Sequence, residues 1–244
     1  MSDSTPSPGS AAPDGRWTAP PPAAVVFDCD GVLLNTERYC LQSKIDVLAT
    51  HGIAATDAVV ERLKGRHYSV AGAVLADILG DGADAGQASE EARRRQIELY
   101  RSDDVAALPG ALELVAAAAE RGPVAVASAS PYPAVLHGLG VAGFLAYVDP
   151  DHVVCPDAAG LPPKPDPAVY VEALRRLGAS PDTALAVEDS GSGLRSARAA
   201  GMQVLGVGPR SSTELVALAD LWVETLADPG LHAWLGAVAL TEHS

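Results

Sequence analysis

The stretch AAVVFDCDG, residues 23–31, decides the fold. Its apolar run predicts a buried strand, and the polar residues Asp28 to Gly31 predict a loop at the carboxyl end of that strand. Alternation along an extended backbone places Asp28 and Asp30 on one side, where their negative charges repel each other. A hard cation such as Mg2+ would relieve this repulsion. A solvated turn is the alternative interpretation.

Four later segments repeat the pattern of a short apolar run followed by polar or glycine residues. They are residues 124–128, 184–189, 203–208 and, more weakly, 221–224. Stretches with helical spacing of apolar residues lie between them, which predicts a parallel sheet with helices on both faces. The predicted fold class is α/β, a Rossmann-like doubly wound core that binds ligands beyond the carboxyl ends of its strands.

Residues 37–106 interrupt this alternation, because their pattern is helical and contains no convincing strand. We predict that they form a helical domain inserted into the core, which comprises residues 23–36 and 107–244. Residues 1–22 are rich in proline and small polar residues, so we predict a disordered tail there.

Composition excludes several function classes. The chain has 244 residues, with 17 Lys plus Arg against 31 Asp plus Glu and a formal charge of -14. Such a balance argues against a broad nucleic-acid or anionic-membrane surface, so a phosphorylated ligand would have to be held locally. The 3 cysteines are too few and too scattered for a disulfide framework or a zinc site. With no signal peptide and no spanning segment in the sequence, we expect a cytoplasmic protein.

A second pair of carboxylates, Glu188 and Asp189, ends another apolar run and is followed by the glycine-containing segment 190–193. Glycines there allow the backbone to approach a ligand closely. The alternative makes Asp189 or Ser190 the N-cap of the next helix. That reading does not explain two adjacent carboxylates at a strand end.

Phosphate-binding groups are predicted at two further places. Ser128 and Ala129 end a third apolar run, and their hydroxyl and backbone N–H groups suit phosphate oxygens. Serine is also an ordinary cap at such a position. Lys164 lies among prolines in LPPKPDP, residues 161–167, a stiff segment that would aim the ammonium group at acids and phosphate. A solvated loop lysine is the alternative.

Taken in chain order, these motifs resemble those of the haloacid dehalogenase superfamily, subfamily I. FDCDGV at 27–32 resembles the first motif, Ser128 the second, KPDP at 164–167 the third and VEDS at 187–190 the fourth. The resemblance covers residues 23–225. It is strongest to the branch of sugar-phosphate phosphatases and β-phosphoglucomutases. It implies that the helical insertion, residues 37–106, is the family's small α-helical cap domain, which would close over a bound substrate.

The resemblance implies a Mg2+-dependent phosphatase of a small phosphorylated metabolite, with a sugar phosphate expected. Asp28 would be the nucleophile that forms an aspartyl-phosphate, and Asp30 the general acid and base. Ser128, the Ala129 backbone N–H and Lys164 would hold the transferring phosphoryl group. The Mg2+ ligands would be Asp28, the Asp30 backbone carbonyl, Asp189 and, directly or through water, Glu188.

Two alternative functions remain open. Phosphomutases of this branch carry a His where this sequence has Cys40 and an Arg near the position of Tyr68, so a phosphatase is favoured. A non-catalytic protein that binds phosphorylated metabolites is the second, although the intact set of catalytic side chains argues against it.

In the cap, Lys64 and Arg66 are candidates for binding the polar part of the substrate; a solvated helix end would explain them equally well. Apart from a small phosphomonoester, we expect no nucleic-acid or membrane partner. The expected assembly is a monomer or a weak homo-oligomer.

Overall fold

Strands and helices alternate in the computed structural model, which describes residues 20–64, 67–101, 105–209 and 213–236, with only the backbone of Ser69. The strands of this described part are β1 (Ala24–Phe27), β2 (Val124–Ala127), β3 (Val153–Val154), β4 (Ala184–Glu188), β5 (Gln203–Val207) and β6 (Leu221–Val223). They form one 6-stranded sheet in the order β3-β2-β1-β4-β5-β6. Every neighbouring pair is parallel.

The described part of the chain contains eleven α-helices. They are α1 (Glu37–Thr50), α2 (Asp57–Leu63), α3 (Tyr68–Leu79), α4 (Ala85–Leu99), α5 (Ala111–Arg121), α6 (Tyr132–Val141), α7 (Pro156–Ala159), α8 (Ala168–Leu177), α9 (Gly191–Ala199), α10 (Thr213–Val216) and α11 (Pro229–Gly236). None of the helices in this part of the chain is long and apolar enough to cross a membrane.

The central strand β1 is buried on both faces. Its residues Val25 and Phe27 pack into one apolar cluster with residues of α5, α6 and α11. Ala24 and Val26 pack into a second cluster with residues of α8 and α9. A parallel sheet covered on both faces by helices needs continuous apolar strands, which explains the runs seen in the sequence. The predicted doubly wound α/β core is confirmed.

The order of the strands fixes where a ligand can bind. From β1 the chain adds β2 and β3 on one side, and it then returns to add β4, β5 and β6 on the other side. The strand order therefore reverses at β1, and a crevice opens there beyond the carboxyl ends of the strands. Three of the predicted motifs follow β1, β2 and β4, so the topology brings them together.

Helices α1 to α4 form the insertion between β1 and α5. They bury a separate apolar cluster, which includes Leu48 of α1, Leu63 of α2, Leu75 of α3 and Ala92 of α4. The predicted helical insertion is confirmed, while the limits of the cap at residues 37 and 106 remain a prediction. The predicted tail lies outside the described residues except for residues 20–22.

The two connections between core and insertion run side by side. Leu34 and Ala107 form an antiparallel bridge. The backbone N–H of Asn35 donates to the Ala106 carbonyl at 3.1 Å, and that of Leu108 donates to the Leu33 carbonyl at 2.9 Å. The insertion is thus tied to the core beside the end of β1.

One strand of the sheet was not predicted from the sequence. β3 is only two residues long, Val153–Val154, which is too short to give a recognisable apolar run. The N-terminus of helix α4 is fixed by a side-chain cap. Its start at Ala85 is set by Asp84, whose carboxylate accepts a hydrogen bond from the Gln87 backbone N–H at 2.8 Å.

The contact between β5 and β6 gives a stability prediction. A Cβ atom added at Gly206 would lie 2.1 Å from the Trp222 ring. That ring is held in place, because its indole N–H donates to the Gly208 carbonyl at 2.8 Å. We expect Gly206→Ala to lower the free energy of unfolding by about 1–3 kcal/mol, measured by urea denaturation.

Gly236→Ala is the matched control, because a Cβ there meets no atom of the described residues within 4 Å. It should cause no loss of stability. An equal loss in both variants would show that crowding against Trp222 is not the cause.

Candidate active site

A buried lysine joins the ends of three strands. The ammonium of Lys164 donates to Asp28 Oδ1 at 2.6 Å, to Glu188 Oε1 at 2.5 Å and to the Ala127 carbonyl at 2.8 Å. These partners lie at the carboxyl ends of β1, β4 and β2. Lys164 is 7% exposed, so the proline-flanked segment directs its side chain inward and the solvated-loop interpretation is wrong.

Both oxygens of the Glu188 carboxylate accept hydrogen bonds from other residues of the protein. Oε1 also accepts from the Tyr170 hydroxyl at 2.7 Å. Oε2 accepts from the Asp189 N–H at 3.2 Å, from the Ser190 N–H at 3.3 Å and from the Ser190 hydroxyl at 3.1 Å. In contrast, no protein donor of the described residues bonds to the Asp189 carboxylate, which lines a cavity above the strand ends.

Burial and the repulsion between neighbouring carboxylates shift the pKa values of this cluster. Burial, with repulsion from Glu188 and Asp30 that Lys164 only partly offsets, raises the pKa of Asp28 to about 8. Burial and the charges of Asp28 and Glu188 raise the pKa of Asp189 to about 9. Burial opposes the charge on Lys164, but the two carboxylates it contacts outweigh that effect and raise its pKa. The positive charge of Lys164 therefore does not compensate all the carboxylates of the cluster.

The donor set fits a divalent cation. Oxygen atoms of Asp28, Glu188 and Asp189 lie within 4.8 Å of one another, and carboxylate oxygens are the ligands that Mg2+ prefers. Two glycines leave space for these carboxylates. A Cβ at Gly31 would lie 2.2 Å from Asp189 Oδ2, and one at Gly193 would lie 1.8 Å from Glu188 Oε1, so a larger residue at either position would displace a carboxylate. A cation there would offset the repulsion that raises the pKa values of Asp28 and Asp189.

Asp30 lies in the same cavity but turns its carboxylate to a group of hydroxyls. It accepts from Thr36 at 2.6 Å, from Ser130 at 2.7 Å, from Ser128 at 3.3 Å and from the Tyr100 hydroxyl. Its carboxylate is not in the cluster of possible metal ligands. The metal ligand predicted for Asp30 is its backbone carbonyl, which stays a prediction.

The predicted phosphate-binding groups follow β2. Ser128 is fully buried, and its N–H donates to the Val154 carbonyl at 3.0 Å while its hydroxyl accepts from the Ser130 N–H at 3.0 Å. Ala129 and Ser130 line the cavity. Ser128 therefore shapes the loop that carries Ala129 and Ser130 into the cavity lining.

Several residues at the site were not predicted from the sequence. Gln96 and Tyr100 are buried at the end of α4 and its C-cap. The Gln96 amide donates to Ser130 Oγ at 2.7 Å and to Cys40 Sγ at 3.2 Å. In sequence they look like ordinary positions of an amphipathic helix, because their partners are distant in the chain. Only the nearness of Ser130 to Ser128 could have indicated that it belongs here.

The cavity between the strand ends and helices α1, α3 and α4 has a volume of about 340 Å3. Asp28, Asp30, Lys164, Ala129 and Asp189 line it on the core side. Of the two predicted specificity residues, Lys64 is exposed after α2 and lines the cavity, whereas Arg66 lies outside the described residues. The structure thus brings every described site residue to one cavity or its wall.

Comparison with known proteins identifies the family. Phosphoglycolate phosphatase of Rhodospirillum rubrum is 35% identical over 207 residues, covering 80% of this chain and 83% of that protein. Hexitol phosphatase B of Escherichia coli K12 is 30% identical over 211 residues, covering 84% and 93%. The chain spans only 18% of a further relative, SUPPRESSOR OF QUENCHING 1 of Arabidopsis thaliana.

Solved structures agree with this assignment. CbbY from Rhodobacter sphaeroides, in complex with phosphate, matches with a TM-score of 0.71 and 25% identity, covering 85% of this chain and 96% of that one. The sequence profile of haloacid dehalogenase-like hydrolases matches residues 22–201. The motif resemblance is therefore confirmed, and this chain belongs to the haloacid dehalogenase-like hydrolase family.

Proposed function

We propose that this protein is a Mg2+-dependent phosphatase that hydrolyses a small phosphorylated metabolite, most simply a sugar phosphate, through a phosphoryl group bound to Asp28. One observation carries the proposal. The Asp28 carboxylate, held by the buried Lys164 ammonium at 2.6 Å, faces a cavity that Asp30 also lines. The proposed nucleophile and the proposed proton donor thus line one cavity.

The enzyme class agrees with the relatives, two of which are named phosphatases. The chain is a phosphoric monoester hydrolase. A sugar-phosphate substrate is supported by a structure of a CbbY variant in complex with xylulose-1,5-bisphosphate and by the name of hexitol phosphatase.

In the first step, an Asp28 oxygen attacks phosphorus and the bond from phosphorus to the ester oxygen breaks. Asp30 gives its proton to the leaving oxygen, so the product departs as an alcohol. Hydroxyls of Thr36, Ser130 and Tyr100 hold the Asp30 carboxylate at the cavity wall. In the second step, Asp30 takes a proton from water, the water oxygen attacks phosphorus, and Asp28 and inorganic phosphate are released.

The transferring phosphoryl group needs donors around its oxygens. The Ala129 backbone N–H would supply one of them, with Ser128 setting the loop. Lys164, whose N–H groups bond to Asp28, Glu188 and the Ala127 carbonyl, would supply positive charge beside the phosphoryl oxygens. A bound Mg2+, held by Asp28, Asp189 and the Asp30 carbonyl with Glu188 behind them, would supply charge compensation between carboxylate and phosphate. Glu188 already accepts five hydrogen bonds from Lys164, Tyr170, Asp189 and Ser190, so an indirect role suits it better.

A phosphomutase remains the alternative, and two positions argue against it. Burial raises the pKa of the Cys40 thiol, which stays neutral and does not replace an acid–base histidine. Burial also raises the pKa of Tyr68 to about 12, so its hydroxyl carries no charge at neutral pH. The cytoplasmic location and the monomeric or weakly oligomeric state stay predictions.

The central test replaces the nucleophile. We expect Asp28→Asn to lower phosphate release from p-nitrophenyl phosphate and from a panel of sugar phosphates by roughly 10^3-fold or more, because an amide is a far weaker nucleophile. The measurement is inorganic phosphate release in the presence of Mg2+.

Asp81→Asn is the matched control, since Asp81 is exposed and outside the cavity, and it should keep wild-type activity. Full activity of Asp28→Asn would rule out the assigned nucleophile. An isomerised product with no free phosphate would replace the phosphatase by the mutase.

Metal binding has its own prediction. We expect Mg2+ to raise the melting temperature of the wild type by roughly 2–4 °C for each kcal/mol of binding free energy. Asp189→Asn should reduce this shift, because Asp189 contributes the carboxylate to which no donor of the described residues bonds. Differential scanning calorimetry with Mg2+ and with chelator measures both.

Without metal, we expect Asp189→Asn to be at least as stable as the wild type. The substitution removes one of three carboxylates, those of Asp28, Glu188 and Asp189, that repel one another. The same Mg2+ shift in both proteins, or none in the wild type, would contradict the assigned site.

A further inference from the structure

The lysines of this chain share one location. The sequence contains three lysines, Lys44, Lys64 and Lys164, and all of them line the cavity between core and insertion. Lys164 belongs to the core side, where carboxylates bind it. Lys44 and Lys64 come from the insertion, on the opposite side of the cavity. In a chain with a formal charge of -14, this concentration of ammonium groups favours an anionic ligand.

Lys44 differs from an ordinary surface lysine. It lies in the middle of α1 and is 2% exposed. Its ammonium donates to the Cys40 carbonyl, one turn earlier in the same helix. Within the described ranges, no carboxylate lies within ion-pair distance of Lys44, and no other acceptor bonds to it. Two of its three N–H donors therefore remain for a ligand.

Burial of this ammonium destabilises its charged form. Burial lowers the pKa of Lys44, and Cys40 and the more distant Asp30 offset this only in part. Burial, together with the charge of Lys44, also lowers the pKa of His67, another cavity residue, to about 4. A buried charge that lacks a partner is unfavourable, and an anion placed beside it removes the penalty.

Charge is divided between the two sides of the cavity. The core side carries the carboxylates of Asp28, Asp30 and Asp189. The insertion side carries Lys44, Lys64 and Arg38, with Glu37 as its acidic lining residue. A substrate whose phosphoryl group lies at Asp28 and Lys164 therefore extends its other end toward cations.

We propose that Lys44 is a specificity residue that binds a second anionic group, a carboxylate or a phosphate, at the end of the substrate distant from the transferred phosphoryl group. This inference rests on the proposed phosphatase function and narrows its substrate class to diacidic phosphomonoesters. A neutral polyol hydroxyl would accept a hydrogen bond from Lys44, but it would leave the buried charge without compensation.

The test compares substrates that differ only in the distant group. One series has six carbons: glucitol 6-phosphate, 6-phosphogluconate and glucitol 1,6-bisphosphate. The other has two carbons: 2-hydroxyethyl phosphate and phosphoglycolate. We expect the wild type to favour the anionic member of at least one series by about 10-fold or more in kcat/KM. Comparison of the carboxylate with the bisphosphate identifies which anion is bound.

Replacement of the ammonium should abolish this preference. Lys44→Met should lower kcat/KM for the preferred anionic substrate by about 10- to 100-fold and change that for its neutral partner by less than about 3-fold. Arg94→Met is the matched control, since Arg94 is an exposed cation of α4 paired with Glu98, and it should keep the wild-type preference. If Lys44→Met does not fold, Lys44→Gln takes its place.

Three results would overturn the inference: a wild type that prefers the neutral member in both series, an anionic preference that survives in Lys44→Met, or an equal loss on all substrates. The last would make Lys44 a structural residue of α1. Isothermal calorimetry of the same compounds with Asp28→Asn supplies a readout without turnover. If nothing is hydrolysed by the wild type but the anionic compounds bind through Lys44, the proposed function fails and the anion site stands.

Discussion

The ammonium of Lys164 lies between two carboxylates that end neighbouring parallel strands, 2.6 Å from Asp28 and 2.5 Å from Glu188. All three groups are buried, and the sheet order places them side by side at the point where the strand order reverses. Two buried carboxylates in this position would repel each other without the lysine, and loss of one partner from such a cluster is costly. The stiff, proline-rich segment 161–167 brings the Lys164 ammonium into the core. The geometry of the site therefore depends on this segment and on the contacts of Lys164 with Asp28 and Glu188.

The two aspartates of the first motif are separated by their surroundings. Asp28 shares its space with charged groups, whereas Asp30 is held by hydroxyls from β2's loop and from Tyr100. Tyr100 follows α4 of the insertion, so helices that lie outside the core help to position a core carboxylate. Two identical side chains two residues apart therefore have surroundings that suit the two roles we propose for them, bonding to phosphorus for Asp28 and moving a proton for Asp30.

Much of this arrangement could be predicted from the sequence, because it depends on local patterns. Apolar runs that stop at carboxylates or serines indicate strand ends, and parallel strands bring those ends together. What could not be predicted depends on contacts between distant residues. The bond from Gln96 to Ser130 joins positions 34 apart in the chain, and the burial of Lys44 follows from the packing of α1 against α3 and α4. The two-residue strand β3 has no pattern to detect.

Detection of the covalent intermediate tests the central claim most directly. Wild-type protein would be mixed with a hydrolysed phosphomonoester, quenched in acid within milliseconds and digested for mass spectrometry. We expect one added phosphoryl group on Asp28, and much less of it in Lys164→Met, where the carboxylate loses the cation that orients it. A phosphoryl group on another residue, or none at any time during turnover, would contradict it.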